Sequence, residues 1–168
     1  MRRAAERTHA DDERAGVDRA DYSDAKSMPN PPRDNDARWF PVSVKGVVIR
    51  DGKVILLRNE REEWELPGGK LELSESPERC LAREIAEELQ LAIEPESILN
   101  SWIYTIAPGV HVLVLAYGCL ESSRDEAVLS DEHKELRWFP LAEIDALEMP
   151  EGYKASIRSW SARLRVAG

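Results

Sequence analysis

The stretch from Gly69 to Leu91, GKLELSESPERCLAREIAEELQL, decides how the rest of the chain is read. Ser76 followed by Pro77 marks a helix start. Serine offers a side-chain acceptor to a free helix N–H, and proline suits the first helical position because an N–H there would have no partner. Leu81, Ile85 and Leu89 then recur at i, i+4 and i+8, which predicts an apolar stripe facing a core. Glu84, Glu87 and Glu88 fall at i, i+3 and i+4, so a helix stacks all three carboxylates on one side. They are expected to ring the edge of the stripe and face a cleft. Like charges so placed repel, and a divalent cation offsets that best. Mg²⁺ is a hard ion that takes oxygen ligands and bridges carboxylates to phosphate oxygens. The competing reading is a solvated acidic face paired with Arg79 and Arg83.

This stretch resembles the signature of the Nudix hydrolases: glycine, five residues, glutamate, seven residues, then Arg-Glu-(apolar)-x-Glu-Glu-x-Gly-(apolar). The matching positions are Gly69, Glu75, Arg83, Glu84, Ile85, Glu87, Glu88 and Leu91; Gln90 stands where the family has glycine. Trp64-Glu-Leu-Pro-Gly-Gly69 resembles the lead-in to that signature. Asp131-Glu-His-Lys-Glu-Leu-Arg-Trp-Phe-Pro140 resembles the later run that leads into a strand and a short helix. With Gly69 and Glu75 at the matching distances, the metal-site reading outweighs the solvated face.

The resemblance implies an α/β fold, the Nudix fold, a mixed β-sheet sandwiched between helices in a single domain. It implies a metal-dependent hydrolase that cleaves a diphosphate (P–O–P) linkage in a nucleoside diphosphate derivative by water attack on phosphorus. Glu84, Glu87 and Glu88 would be ligands of Mg²⁺ or Mn²⁺, with Glu75 as an additional or supporting ligand. Gly69 and its neighbouring backbone would shape the metal loop beside the phosphates. Arg83 would orient a glutamate, first of all Glu87. The general base is open between Glu87 and a loop glutamate, Glu132 first and Glu135 second. The alternative is a non-catalytic ligand-binding regulatory module on the same fold, although such modules typically lose the signature carboxylates. An isopentenyl-diphosphate isomerase relative would need a catalytic cysteine in a second motif, and neither Cys80 nor Cys119 sits in one. Pro108 lies close to where ADP-ribose-type members carry a proline, but a turn proline needs no such explanation.

A formal net charge of −9 over 168 residues argues against coating nucleic acid or an anionic membrane, since both favour a basic surface. It leaves a small nucleotide-type diphosphate as the expected partner, because a bound cation reverses the local sign. A homodimer stays open. Two cysteines are too few for a disulfide framework. No apolar run is long enough for a membrane helix, and no signal-peptide core is present. The expected compartment is the cytoplasm. Residues 1–37 mix many charges with few large apolar side chains and end near Pro29-Asn30-Pro31-Pro32. They read as a disordered extension, or a partner-binding tail, before a domain at 38–168.

Val42 to Ile49 and Val54 to Arg58 read as two strands joined at Asp51-Gly52, a favoured hairpin turn. Ile98 to Ile106 reads as a further strand and Val110 to Leu120 as a central one, with Ala107-Pro108-Gly109 between them. Trp102 and Tyr104 share a face there, for nucleobase stacking or core packing. Trp64 reads as packing over its loop, His111 as a sheet histidine and Cys80 as a small packing residue. Pro140 opens a short helix, Leu141 to Ala146. Tyr153, Ile157, Trp160 and Leu164 predict a terminal amphipathic helix.

Overall fold

The structure is a computed structural model that describes residues 40–131 and 133–167. The extension expected at 1–37 and the base candidate Glu132 lie outside the described residues.

Strand β1 (Val42–Arg50) turns through Asp51 and Gly52 into β2 (Lys53–Arg58). Both turn residues take positive φ, 48° and 73°, as a tight Asp-Gly hairpin requires. A two-residue strand β3 (Trp64–Glu65) precedes helix α1 (Pro77–Leu89). Strands β4 (Ile93–Ala107), β5 (Val110–Glu121) and β6 (Glu135–Pro140) follow, then a 3-10 turn (Leu141–Ala146) and helix α2 (Glu151–Ala167). The sheet order is β3-β2-β1-β5-β4, with β6 also on β2, and β5 runs parallel to β1. The sheet is therefore mixed, and β5 lies inside it as its apolar run predicts. Strand β4 begins five residues before the expected Ile98. Glu94, Pro95 and Glu96 hide its start in the sequence. A proline is tolerated there because β4 is an edge strand and its ladder with β5 shifts register between Pro95 and Ser97.

Period-two alternation places a helix on each face of the sheet. Ile55 and Leu57 face α1 with Leu81, Ile85, Leu89 and Cys80. Val54 and Leu56 face α2 with Tyr153, Ile157 and Trp160. All of these are buried, at roughly 1.5–3 kcal/mol for each large apolar side chain taken from water. Trp64 packs edge-on against Phe139 at 4.6 Å between ring centroids, so it belongs to the core. Trp102 meets Tyr153 edge-on at 5.3 Å and Tyr104 hydrogen-bonds Glu63, so this pair packs under α2 instead of offering a stacking face. His111 sits on the β4–β5 hairpin with its Nδ1 2.9 Å from Thr105 Oγ1. Among the described residues no helix is long and apolar enough to cross a membrane.

The feature that makes the site is a wedge. β1 and β2 pair only at Ile49↔Val54 and Arg50↔Lys53, then diverge. Trp64–Glu65 covers the far end of β2, while the next residues cover β1: Gly46 N–H donates to Pro67 O at 2.9 Å and Val44 N–H to Gly69 O at 2.8 Å. The segment from Trp64 to Leu71 thus fills the gap between the two strands.

Helix α1 ends where the signature carries glycine. Gln90 is left-handed at φ 54° and ψ 27°, and its N–H donates to Ala86 O at 3.1 Å. An L-residue held there costs about 1 kcal/mol, and glycine's freedom in the unfolded chain returns part of that. Gln90→Gly is expected to raise the melting temperature by a few degrees, and a thermal melt checks it; a fall would mean the glutamine side chain stabilises the helix end.

Candidate active site

Ser76 Oγ accepts from Arg79 N–H at 3.3 Å and Pro77 occupies the first helical position, so α1 starts as its sequence predicts. One turn on, the Arg83 guanidinium collects the carboxylates. Its Nη2 donates to Glu75 Oε1 at 2.7 Å and its Nε to Glu75 Oε2 at 3.2 Å. Its Nη1 donates to Glu84 Oε1 at 2.8 Å and to Glu87 Oε2 at 3.2 Å. Arg83 thus bonds Glu87 as expected, and its two-pronged bond goes to Glu75. Glu72 N–H also holds Glu75, at 3.0 Å, so that carboxylate is fixed from two sides. The Arg83 bond, helped by Glu72 N–H, holds the Glu75 carboxyl down at about 2. The bonds to Glu75 and then to Glu84 raise the Arg83 pKa.

The three stacked glutamates do not share one environment. The Glu87 side chain is 62 % exposed, whereas that of Glu84 is 16 % exposed. Glu88 is buried, unlike the exposed Glu87. Its Oε2 accepts from Gly68 N–H at 2.8 Å and its Oε1 lies 3.4 Å from His133 Nε2. Burial raises the Glu88 pKa against the pull of Lys45 and the Gly68 N–H. Gly69 lies directly under Glu84: a Cβ there would sit 2.3 Å from the Glu84 carboxyl carbon.

Three further charged groups sit in the wedge, and the sequence did not single them out: Lys45, Glu65 and His133. Lys45 Nζ donates to Gly68 O at 2.6 Å and lies 3.6 Å from Glu65 Oε1. His133 reaches this point because its loop is pinned along the end of α1. Val128 N–H donates to Leu89 O and Ser130 N–H to Glu88 O, both at 2.9 Å, which satisfies two carbonyls the helix leaves free. A charge buried in the middle of an apolar strand, as at Lys45, is the one sequence signal that could have exposed the cluster. Glu135 is engaged by Arg58 and Arg137 on β2 and β6. Burial pushes the Cys80 thiol up to about 12, so it suits packing and not nucleophilic attack.

Glu65 gives a pH test. Its burial favours the neutral acid, but Lys45, then His133 and Asn59, pull its carboxyl down to about 2. A lowered folded-state pKa contributes stability that is complete above the unfolded value, about 4.3, and is lost as pH falls toward about 2. Unfolding midpoints measured over that window are expected to drop steeply in the wild type and less steeply in Glu65→Gln. The variant is also expected to lose about 3 kcal/mol at neutral pH, because Lys45 stays buried without its carboxylate.

The donor set suits a hard divalent cation. Arg83 takes one oxygen each from Glu84 and Glu87, and the Glu84 carboxylate lies against Gly69. Among the described residues no group of three or more acidic, histidine or cysteine side chains is already arranged to hold a metal ion. Mg²⁺ does not need a full set of protein ligands, since it keeps several waters and binds through one or two carboxylates plus substrate phosphates.

The family model described as the NUDIX domain matches residues 39–161. A MutT-like protein of Streptomyces ambofaciens is 35 % identical over 105 residues, which cover 61 % of this chain and 66 % of that protein. An ADP-ribose pyrophosphatase of Methanocaldococcus jannaschii is 29 % identical over 113 residues, covering 63 % of this chain and 65 % of its own length. The chain thus spans just under two thirds of the length of both relatives. A crystal structure of a MutT NUDIX hydrolase from Burkholderia pseudomallei superposes with a TM-score of 0.60 at 28 % identity, covering 73 % of this chain and 98 % of that one. An Ap4A hydrolase of C. elegans superposes at 0.66 with 20 % identity, covering 75 % and 98 %, a likeness of fold alone.

Proposed function

Because the chain belongs to the Nudix family, we propose that it hydrolyses a diphosphate (P–O–P) linkage in a nucleoside diphosphate derivative with the help of Mg²⁺ or Mn²⁺. The observation that carries this reading is the gathering of Glu75, Glu84 and Glu87 on one guanidinium, with Glu84 against Gly69. Glu84, Glu87 and Glu88 would hold the cation, and Glu75 would support them through Arg83. When bound, the cation offsets the charge that develops on phosphate oxygens and lowers the pKa of the attacking water. The chain's own residues do the rest. Arg83 keeps the carboxylates at fixed spacing through charge-assisted bonds. Gly69, lacking a side chain, lets the Glu84 carboxylate lie against the turn. Water attacks phosphorus, the bridging P–O bond breaks, and a carboxylate takes the water proton. Glu87, the most exposed of the three, is the first candidate for that base and Glu132 the second. The reading carries a small-molecule partner and a cytoplasmic setting, in keeping with the net charge of −9.

The substrate group is the finer question. Curated relatives carry the names ADP-ribose pyrophosphatase, nucleoside triphosphatase and putative 8-oxo-dGTP diphosphatase. A phosphate-release screen with Mg²⁺ should therefore span ADP-ribose, ordinary and oxidised nucleoside triphosphates, nucleotide sugars and dinucleoside polyphosphates, with Glu87→Gln as the blank. Turnover of one group by the wild type and not by the variant is the expected result. Silence across the panel from folded, metal-binding protein would favour a ligand-binding module instead.

A further inference from the structure

Lys45 stands in the middle of β1, 6 % exposed, between the core residues Val44 and Val47. Lysine is almost never buried unless paired, and taking its charge from water is costly. Its contacts lead to the signature loop. Nζ donates to Gly68 O at 2.6 Å, and the N–H of the same glycine donates to Glu88 Oε2 at 2.8 Å. Gly68 holds this bend at φ 119°, a conformation that L side chains rarely adopt, and the next residue, Gly69, lies against the Glu84 carboxylate. A single turn thus touches two of the three stacked glutamates, and Lys45 holds its carbonyl. Glu65 completes the hub: it faces Lys45 at 3.6 Å and His133 at 3.6 Å, and accepts from Asn59 Nδ2 at 3.3 Å.

We propose that Lys45 is a positioning residue: by holding the Gly68 carbonyl it fixes the Gly68–Gly69 turn and so sets the Glu88 and Glu84 carboxylates for the cation. This rests on the metal-site reading above. It differs from a purely structural ion pair in what it makes measurable. Removing one partner of a purely structural buried pair costs stability, because the other charge stays buried, and leaves metal affinity unchanged. A residue that orients ligands changes metal affinity when removed, typically by tenfold to a hundredfold.

The test uses the full chain and Mn²⁺ alone, titrated without substrate by calorimetry or electron paramagnetic resonance, with a thermal melt of each metal-free protein. Lys45→Met is expected to stay folded and to bind Mn²⁺ about ten- to a hundredfold more weakly. Lys45→Arg, which can still donate to Gly68 O, is expected to recover most of that loss. Folded Lys45→Met with wild-type Mn²⁺ affinity would overturn the proposal. Should Lys45→Met not fold, Glu65→Gln replaces it, since it loosens Lys45 without removing it. A several-fold weaker Mn²⁺ constant there supports the proposal, and an unchanged one overturns it. Glu84→Gln run alongside separates the two readings. Mn²⁺ held by the wild type and lost in Glu84→Gln but unchanged in Lys45→Met overturns only the role of Lys45. Wild-type protein that binds no Mn²⁺ overturns the metal site and this inference together.

Discussion

Replacing Glu84 by glutamine is expected to lower turnover roughly a hundredfold or more while the protein stays folded. The side chain is only 16 % exposed, lies over Gly69 and is bonded to Arg83 at 2.8 Å, so its position is set from two sides. Glutamine keeps the shape and can still accept from Arg83 through its amide oxygen. It loses the negative charge, and a hard cation binds a neutral amide far less well. Supporting residues around a metal cost ten- to a hundredfold when removed, and a direct ligand should reach at least the upper end. Stability moves little, because two opposing effects of about 0.5 kcal/mol meet: the Arg83 pair weakens, and so does repulsion from Glu87 and Glu88 at i+3 and i+4. Steady-state kinetics over a Mg²⁺ titration, paired with a thermal melt, read both quantities. A rate near that of the wild type at every Mg²⁺ concentration would remove Glu84 from the site.

Gly69→Ala is expected to damage activity almost as strongly with no charge altered. The added Cβ would lie 2.3 Å from Glu84 Cδ and Oε2 and 2.6 Å from its Oε1, well inside contact distance. The turn cannot readily yield, because Gly69 O accepts from Val44 N–H at 2.8 Å and so belongs to the β1 edge. The carboxylate must swing aside by an ångström or more. A displacement of about 1 Å at a reacting centre can cost on the order of a hundredfold in rate. Mn²⁺ affinity should weaken with it, whereas the melting temperature should change by only a few degrees, since Glu84 is at the rim of the core. Retained turnover in Gly69→Ala would show that the Glu84 position seen here is not the working one.

The helix, its cap and its buried stripe were legible in the sequence because each depends on near neighbours. Ser76 and Pro77 mark a start, and Leu81, Ile85 and Leu89 repeat with the period of a helix. The Asp51-Gly52 hairpin and the apolar run of β5 were legible for the same reason. The signature positions followed from spacing alone, and the resemblance they carry agrees with the family match over residues 39–161.

What the sequence could not express is which charges meet. Lys45 in β1, Glu65 in β3 and His133 beyond β5 each look like an ordinary polar residue in the one-dimensional pattern. They converge because β1 and β2 part after two residue pairs, because Trp64 to Leu71 fills the gap, and because the loop before β6 is bonded to the end of α1. The same wedge decides that Glu88 is buried while Glu87, one residue earlier, is exposed. The loop before α1, where Glu72 N–H holds Glu75, brings that carboxylate to Arg83 from outside the helix. Local periodicity determined the helix and the carboxylates on it. Long-range strand geometry decided which of them are held, and by what, because ion pairing depends on distance in space and sequence spacing sets that distance only within one element.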